Sequence, residues 1–189
     1  MPINLSTQKI LKDWIDYNNH MNVSYYLLIF DKYGADILND VFKMGEHSAK
    51  TTGKSTMIVE SHITYNQEIQ VDDQVEVNLL YFDHDKKRLQ YKMEMVHKEK
   101  KYLASTIEVL ALYVDLNTRK VSEFESDKIQ IMDDYIKTNK QKFDDTNLKF
   151  SSKLKKWAIY FELPARKTGS HILIIALVLY KNLKQPHLL

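Results

Sequence analysis

The sequence predicts an α+β fold, a long central helix wrapped by an antiparallel sheet of about five strands. Three observations predict it. Apolar residues recur at three- and four-residue spacing from Val23 to Val41, the period of one face of a helix. Four later segments alternate apolar and polar positions, the period of a half-buried strand. The turns between those segments are too short for helical crossovers, which favours an antiparallel meander.

Each element can be read in order. Residues 8–15 (QKILKDWI) read as a short strand running into a polar turn. The helix follows, with Val23, Tyr26, Leu27, Phe30, Gly34, Ile37, Leu38 and Val41 on one apolar stripe. Asn22 can cap it, since its side-chain oxygen can accept an early backbone N–H. Gly34 on that stripe lowers helix propensity but permits close approach to a sheet. Residues 41–54 are polar and irregular. Strands are then expected over 57–65, 75–82, 89–96 and 102–114, joined by the polar turns 70–73, 84–87 and 98–101. One face of this sheet buries the helix, and a second subunit could cover the other. Residues 123–150 are charged, helical or loose. The expected organisation is one domain over 1–130, then a charged linker and an atypical extension over 131–189. In that extension 157–161 and 172–180 are apolar, read as an accessory element on the core or on a partner.

Composition removes several classes of function. The 189 residues suffice for one domain with a real core. The net charge of +2 and the absence of a basic stripe with interleaved aromatics argue against nucleic acid. With no cysteine, disulfides, thiolate metal sites and a cysteine nucleophile are excluded. Four glycines, at 34, 45, 53 and 169, cannot build a dinucleotide or P-loop fingerprint. The N-terminus has no signal-peptide pattern, and no apolar run approaches the roughly 20 residues of a membrane span. A cytoplasmic location is the default expectation.

The chemistry concentrates in Asp16-Tyr17-Asn18-Asn19-His20-Met21-Asn22, between the first strand and the helix. Thioester hydrolysis needs a carboxylate to activate water or attack the carbonyl. It also needs a donor for the oxyanion. Asp16 can be the carboxylate, with Asn18 and His20 to orient it, position water or protonate the thiolate. The helix N-terminus points free N–H groups at the same loop. The plainer reading of Asp16-x-Asn18 is an Asx turn leading to a helix cap, with His20 bonded to backbone. Spacing alone leaves both readings open.

At this point the sequence resembles a known family. WIDYNNHMNVSYYLLIFDKYGADIL resembles the opening of hotdog-fold acyl-CoA thioesterases of the 4-hydroxybenzoyl-CoA thioesterase superfamily. The D-x-N-x-H spacing is similar to that of plant acyl-ACP thioesterases. Further matches follow in order: Ser61-His62-Ile63-Thr64-Tyr65 with Glu68, Asp85-Lys86-Lys87-Arg88-Leu89, Ala104-Ser105-Thr106-Ile107-Glu108, and Val114 to Val121. The likeness spans about residues 8–130 and is nearest to thioesterases associated with carnitine breakdown, which act on betainyl-CoA. One departure is Asn19, where that group usually has glycine; asparagine is the best substitute where φ is positive.

The resemblance implies Asp16 as nucleophile or general base, Asn18 and His20 as its assistants, and Glu68 as a downstream acid. Glu60 and His62 rank lower, since they could equally line a subunit contact. Lys86, Lys87 and Arg88 form a basic turn, of which Lys87 and Arg88 are assigned to the CoA phosphates. Asn22, Tyr25 and Tyr65 are assigned to the substrate. Trp14, Tyr17, Tyr25, Tyr26 and Tyr65 crowd the motif and could hold a quaternary ammonium by cation–π attraction, though some of them must be core. The implied activity is hydrolysis of a short acyl-CoA, betainyl-CoA included, by a homodimer or tetramer with no cofactor and no metal. The alternatives are a thioesterase for an aromatic or medium-chain acyl-CoA, and a non-catalytic acyl-CoA-binding hotdog protein.

Overall fold

The computed structural model describes residues 2–155. Five strands form the sheet in the order β1-β3-β4-β5-β2, every neighbouring pair antiparallel. They are β1 (Ile3–Lys9), β2 (Lys54–Tyr65), β3 (Gln74–His84), β4 (Arg88–His97) and β5 (Leu103–Asp115). A two-residue β6 (Lys120–Val121) adds to β5. Each strand follows the alternation of its residues. Val75, Val77 and Leu79 of β3, Met93 and Met95 of β4, and Ile107, Val109 and Ala111 of β5 are all buried against the helix. A bulge between Leu79 and Tyr81 then shifts the parity, so Phe82 carries the core onward. The fold is the hotdog α+β fold.

The central helix runs as α1 (Val23–Phe30), a π turn (Asp31–Ala35) and α2 (Asp36–Val41). Asn22 caps it as expected, accepting the Ser24 N–H at 3.0 Å. The buried stripe differs from the expected one. Tyr26, Ile29, Phe30, Gly34, Ala35, Leu38 and Phe42 are inside, whereas Val23, Leu27 and Val41 are exposed. Residues 26, 30, 34, 38 and 42 are spaced strictly by four. That spacing overruns an ordinary turn by about 40° per step, and the wider π turn takes up part of the excess. Gly34 makes the close approach possible: a Cβ there would lie 2.7 Å from Met93 Sδ.

Other boundaries also move. The strand expected over 8–15 starts earlier, because Ile3–Lys9 finds partners on β3 from Leu79 to Gln74. Residues 12–14 form a 3-10 turn instead. The segment expected to be irregular holds α3 (Gly45–Thr52), which buries Ser48 rather than an apolar stripe and ends at Gly53 with φ 67°. α4 (Ser126–Asn139) buries Met132 and sets Tyr135 edge-on to Phe42 at 5.2 Å. The boundary expected at residue 130 therefore falls within α4, and one compact unit runs to about residue 156. Residues 144–155 cross the outer face of the sheet. Glu108, 4% exposed, accepts the backbone N–H groups of Lys149 and Phe150 there. The apolar segments at 157–161 and 172–180 lie outside the described residues.

Candidate active site

The loop 16–20 is built by its own hydrogen bonds. Asp16 N–H donates to His20 O at 3.1 Å, and Asn19 N–H returns to Asp16 O at 3.0 Å. Asn19 takes φ 65°, the left-handed conformation that asparagine tolerates better than most residues. The Asp16 Oδ1 accepts the Asn18 N–H at 2.8 Å, so the Asx turn is formed. It does not exclude the catalytic reading, since it engages only one carboxylate oxygen. His20 Nε2 stands 3.6 Å from that same Oδ1. This is an ion-pair distance, too long for a hydrogen bond.

Two neighbours lock the loop to the fold. Asn22 N–H donates to Trp14 O at 2.9 Å, and Met21 N–H to Ile69 O at 2.7 Å. The second contact joins the loop to the turn after β2, which carries Glu68. A cleft of about 350 Å³ lies between them, lined by His20, Val23, Tyr26, Tyr65, Gln67 and Glu68. Tyr26 and Tyr65 meet edge to face, centroids 5.3 Å apart. Glu68 is exposed, and its backbone carbonyl accepts the Tyr102 hydroxyl at 2.9 Å.

The helix N-terminus supplies a donor at a defined atom. Asn22 consumes the Ser24 N–H, and the Tyr25 N–H returns to Asn22 O at 3.0 Å. The Val23 N–H is left without a partner among the described residues, and Val23 lines the cleft. Sequence reading pointed at the helix end as a whole; the cap geometry singles out this one group. Gln67, absent from the expected set, brings a side-chain amide to the same wall.

The assigned residues divide into those brought together and those held apart. His20, Tyr65 and Glu68 line the cleft, and Asp16 stands beside it through His20. Asn18 is exposed, with its backbone rather than its side chain engaged. Asn22 is the cap, and Tyr25 stacks on Trp14 at 5.4 Å. Tyr17 is 95% exposed. Glu60 and His62 point to the outer face of β2, where Glu60 pairs with Lys153. Lys87 and Arg88 sit in the β3–β4 turn, at the far end of the sheet from the loop. Arg88 pairs with the buried Asp85 at 2.8 Å and Lys87 with Glu123 at 3.5 Å. Backbone N–H groups of Lys87 and Lys155, with Arg88, hold the Asp85 carboxyl below its usual range despite its burial, which pushes the other way. Among the described residues no cluster of three or more His, Asp or Glu could hold a metal ion.

A capped helix inside a curled sheet, with a carboxylate loop at its N-terminus, defines a hotdog-fold thioester hydrolase. The pattern of the thioesterase-like superfamily matches residues 10–133, and the chain belongs to that family. It is 27% identical over 118 residues to the betainyl-CoA thioesterase of Pseudomonas aeruginosa, covering 62% of this chain and 74% of that one. A Staphylococcus aureus protein solved in complex with CoA superposes with a TM-score of 0.65 at 25% identity, covering 84% of this chain and 97% of that one. A 1,4-dihydroxy-2-naphthoyl-CoA thioesterase from Synechocystis shares the fold alone, with a TM-score of 0.61 at 13% identity over 68% of this chain and 94% of that one.

Proposed function

We propose that the protein hydrolyses a short acyl-CoA, with betainyl-CoA as the leading substrate. The observation that carries this is one cleft lined by His20, Val23 and Glu68, with Asp16 beside His20 at 3.6 Å. The thioester carbonyl oxygen is received by the Val23 N–H, where the helix dipole favours developing negative charge. Asp16, through the oxygen not taken by Asn18, removes a proton from water as the water oxygen attacks the carbonyl carbon. The tetrahedral intermediate collapses, the carbon–sulfur bond breaks, and CoA leaves as the thiolate. His20 protonates that thiolate or orients the water. Glu68 lines the same cleft and acts on the same water or on the acyl group. Direct attack by Asp16 gives a mixed anhydride instead. Single-turnover hydrolysis in ¹⁸O water separates the routes, since label on Asp16 marks the anhydride.

The betainyl preference draws on the 27% relative and on Tyr26 and Tyr65, whose rings can face a quaternary ammonium. A panel of acyl-CoAs assayed with a thiol reagent tests it. Preference for uncharged acyl groups would remove the betainyl assignment, and full activity in Asp16→Asn would remove the mechanism. Lys87 and Arg88 are proposed to meet the CoA phosphates, and Asn18 to hold the loop.

A homo-oligomer built on β2 belongs to the same reading. This strand closes one edge of the sheet, and Met57, Ile58 and Val59 on it are exposed beside Leu27. An unpaired apolar edge invites a second copy. About a two-fold axis, β2 would run antiparallel to its copy, so the start of one strand meets the end of the other. Light scattering of the full chain reads the stoichiometry.

A further inference from the structure

A second cleft opens about 12 Å further along the central helix, at the π turn eight residues beyond Val23. Its volume is about 350 Å³. The central helix contributes Asp31, Asp36 and Asn39, α3 contributes Glu46, and the sheet contributes Met57 and Tyr91. Among the described residues no lysine, arginine or histidine lines it. Asp36 and Glu46 already pair with Lys32 and Lys50 on their own helices, at 3.0 and 2.6 Å. Both are exposed i,i+4 pairs of small worth. Asp31 is half-buried and forms no ion pair among the described residues.

Acidic residues alone do not make a site, but Tyr91 adds an independent feature. It is 5% exposed and lines the cleft, and its hydroxyl has no hydrogen-bond partner among the described residues. The ring is buried, whereas the hydroxyl is not fully enclosed, so it is open to a partner from outside the chain. Burial pushes this phenol's pKa up, and the nearby carboxylates of Asp31 and Asp36 push it further. Both acids line the cleft that Tyr91 lines, and its hydroxyl bonds to neither. Around it, Met57, Ile58, Leu89 and Ala111 are apolar. Negative charge, a buried aromatic side chain and an apolar surround together suit a cation that carries methyl groups instead of N–H donors.

We propose that this second cleft binds a quaternary ammonium group, with Asp31 as counter-ion and Tyr91 as its buried wall. Two sources could supply the group. A betainyl chain has one methylene between nitrogen and carbonyl, too short to span from the Val23 N–H within one protomer. It would reach the cleft only from the loop of a second copy. The β2 pairing proposed above brings these together, because residues 55–58 border the second cleft and Tyr65 borders the first. That source rests on the thioesterase and oligomer readings. A free trimethylammonium compound rests on neither.

The test begins with binding. Wild type, Asp31→Asn and Tyr91→Phe are titrated by calorimetry with choline and with its carbon isostere, in which a quaternary carbon replaces nitrogen. Wild type should prefer choline, and Asp31→Asn should weaken choline by about tenfold, or about 1.4 kcal/mol, while leaving the isostere where it was. Tyr91→Phe retains the ring and should weaken choline by a smaller factor. Equal binding of choline and isostere by wild type overturns the proposal, as does undiminished choline binding in a folded Asp31→Asn. A second arm compares betainyl-CoA with the acyl-CoA bearing the same quaternary carbon. A tenfold fall in the ratio of their kcat/KM values in Asp31→Asn identifies the acyl group as the cation. Choline binding with an unchanged ratio identifies a free cation. Choline binding in a wild type that hydrolyses neither substrate leaves the site standing and removes the thioesterase reading.

Discussion

Two clefts of similar size lie on one helix, and they are made in opposite ways. The first is built from a loop of five consecutive residues, Asp16 to His20, that closes on itself before meeting the turn at Glu68. The second is assembled from a π turn, two short helices and three strands, and its lining runs from Asp31 to Leu116. The first presents a donor, a carboxylate and an imidazole at an open mouth. The second presents charge and an idle phenol above apolar side chains. On the functions proposed, a reacting carbonyl calls for the former and a passive cation for the latter. One helix borders both, and its N-terminus and its π turn present different side chains to them.

The largest expected effect breaks the first cleft and spares the second. Asp16→Asn should lower kcat by about 10²–10⁴-fold, the usual worth of a positioned base. KM should hold within a factor of about three, and choline binding should persist. A thiol-reagent assay and calorimetry on the same sample check both halves.

Next in size is the support of the second cleft. Its α3 wall hangs on Ser48, which donates to the Tyr113 hydroxyl at 2.6 Å; that hydroxyl donates to Glu125 at 2.8 Å. Burial raises the Glu125 pKa, but Lys54, Lys128 and Tyr113 outweigh burial and bring it down to about 2. A carboxyl depressed in the fold stabilises above its ordinary pKa of 4.5, and that contribution is lost as pH falls towards about 2. Wild-type Tm should therefore drop over this window. Glu125→Gln should be less stable at pH 7 by about 1–3 kcal/mol, because Lys128 is left buried without its partner. Its Tm should also vary less with acid. Thermal melts from pH 2 to 7 follow both curves, and parallel curves would show that Glu125 is not the group responsible.

A smaller effect sharpens the geometry of the first cleft. Asn19→Ala places an ordinary side chain at φ 65° and should destabilise by about 1 kcal/mol, while Asn19→Gly should be near neutral. Urea midpoints of the two variants give the difference. The smallest effect concerns the far end of the sheet. Lys87→Ala should raise the KM for acyl-CoA by no more than about twofold, as expected for one exposed phosphate contact. A rise of an order of magnitude would make the β3–β4 turn a principal CoA anchor.

Much of this was legible before folding, and the boundary of legibility is physical. The helix, its Asn22 cap and the positive φ at Asn19 depend on neighbours within four residues. The strands depend on an alternation that every sheet imposes. What moved was set from a distance. β1 begins at Ile3 because β3 offers partners there. α3 forms although it buries only Ser48, held by Tyr113 from another strand. The buried helix face gained Ile29, Ala35 and Phe42 and lost Val23, Leu27 and Val41.

The same division separates the two sites. The sequence by itself determined the family, the wrapped-helix plan and the carboxylate loop, because backbone preferences and short-range hydrogen bonds act over a few residues. Only the tertiary structure decided which N–H remained free at the helix end. It alone brought Glu68 and His20 to one cleft and left Lys87 and Arg88 at the far end of the sheet. It alone gathered Asp31, Glu46 and Tyr91 around one space. Those juxtapositions follow from strand register and from the packing of side chains distant in sequence, and neither is written in any local pattern.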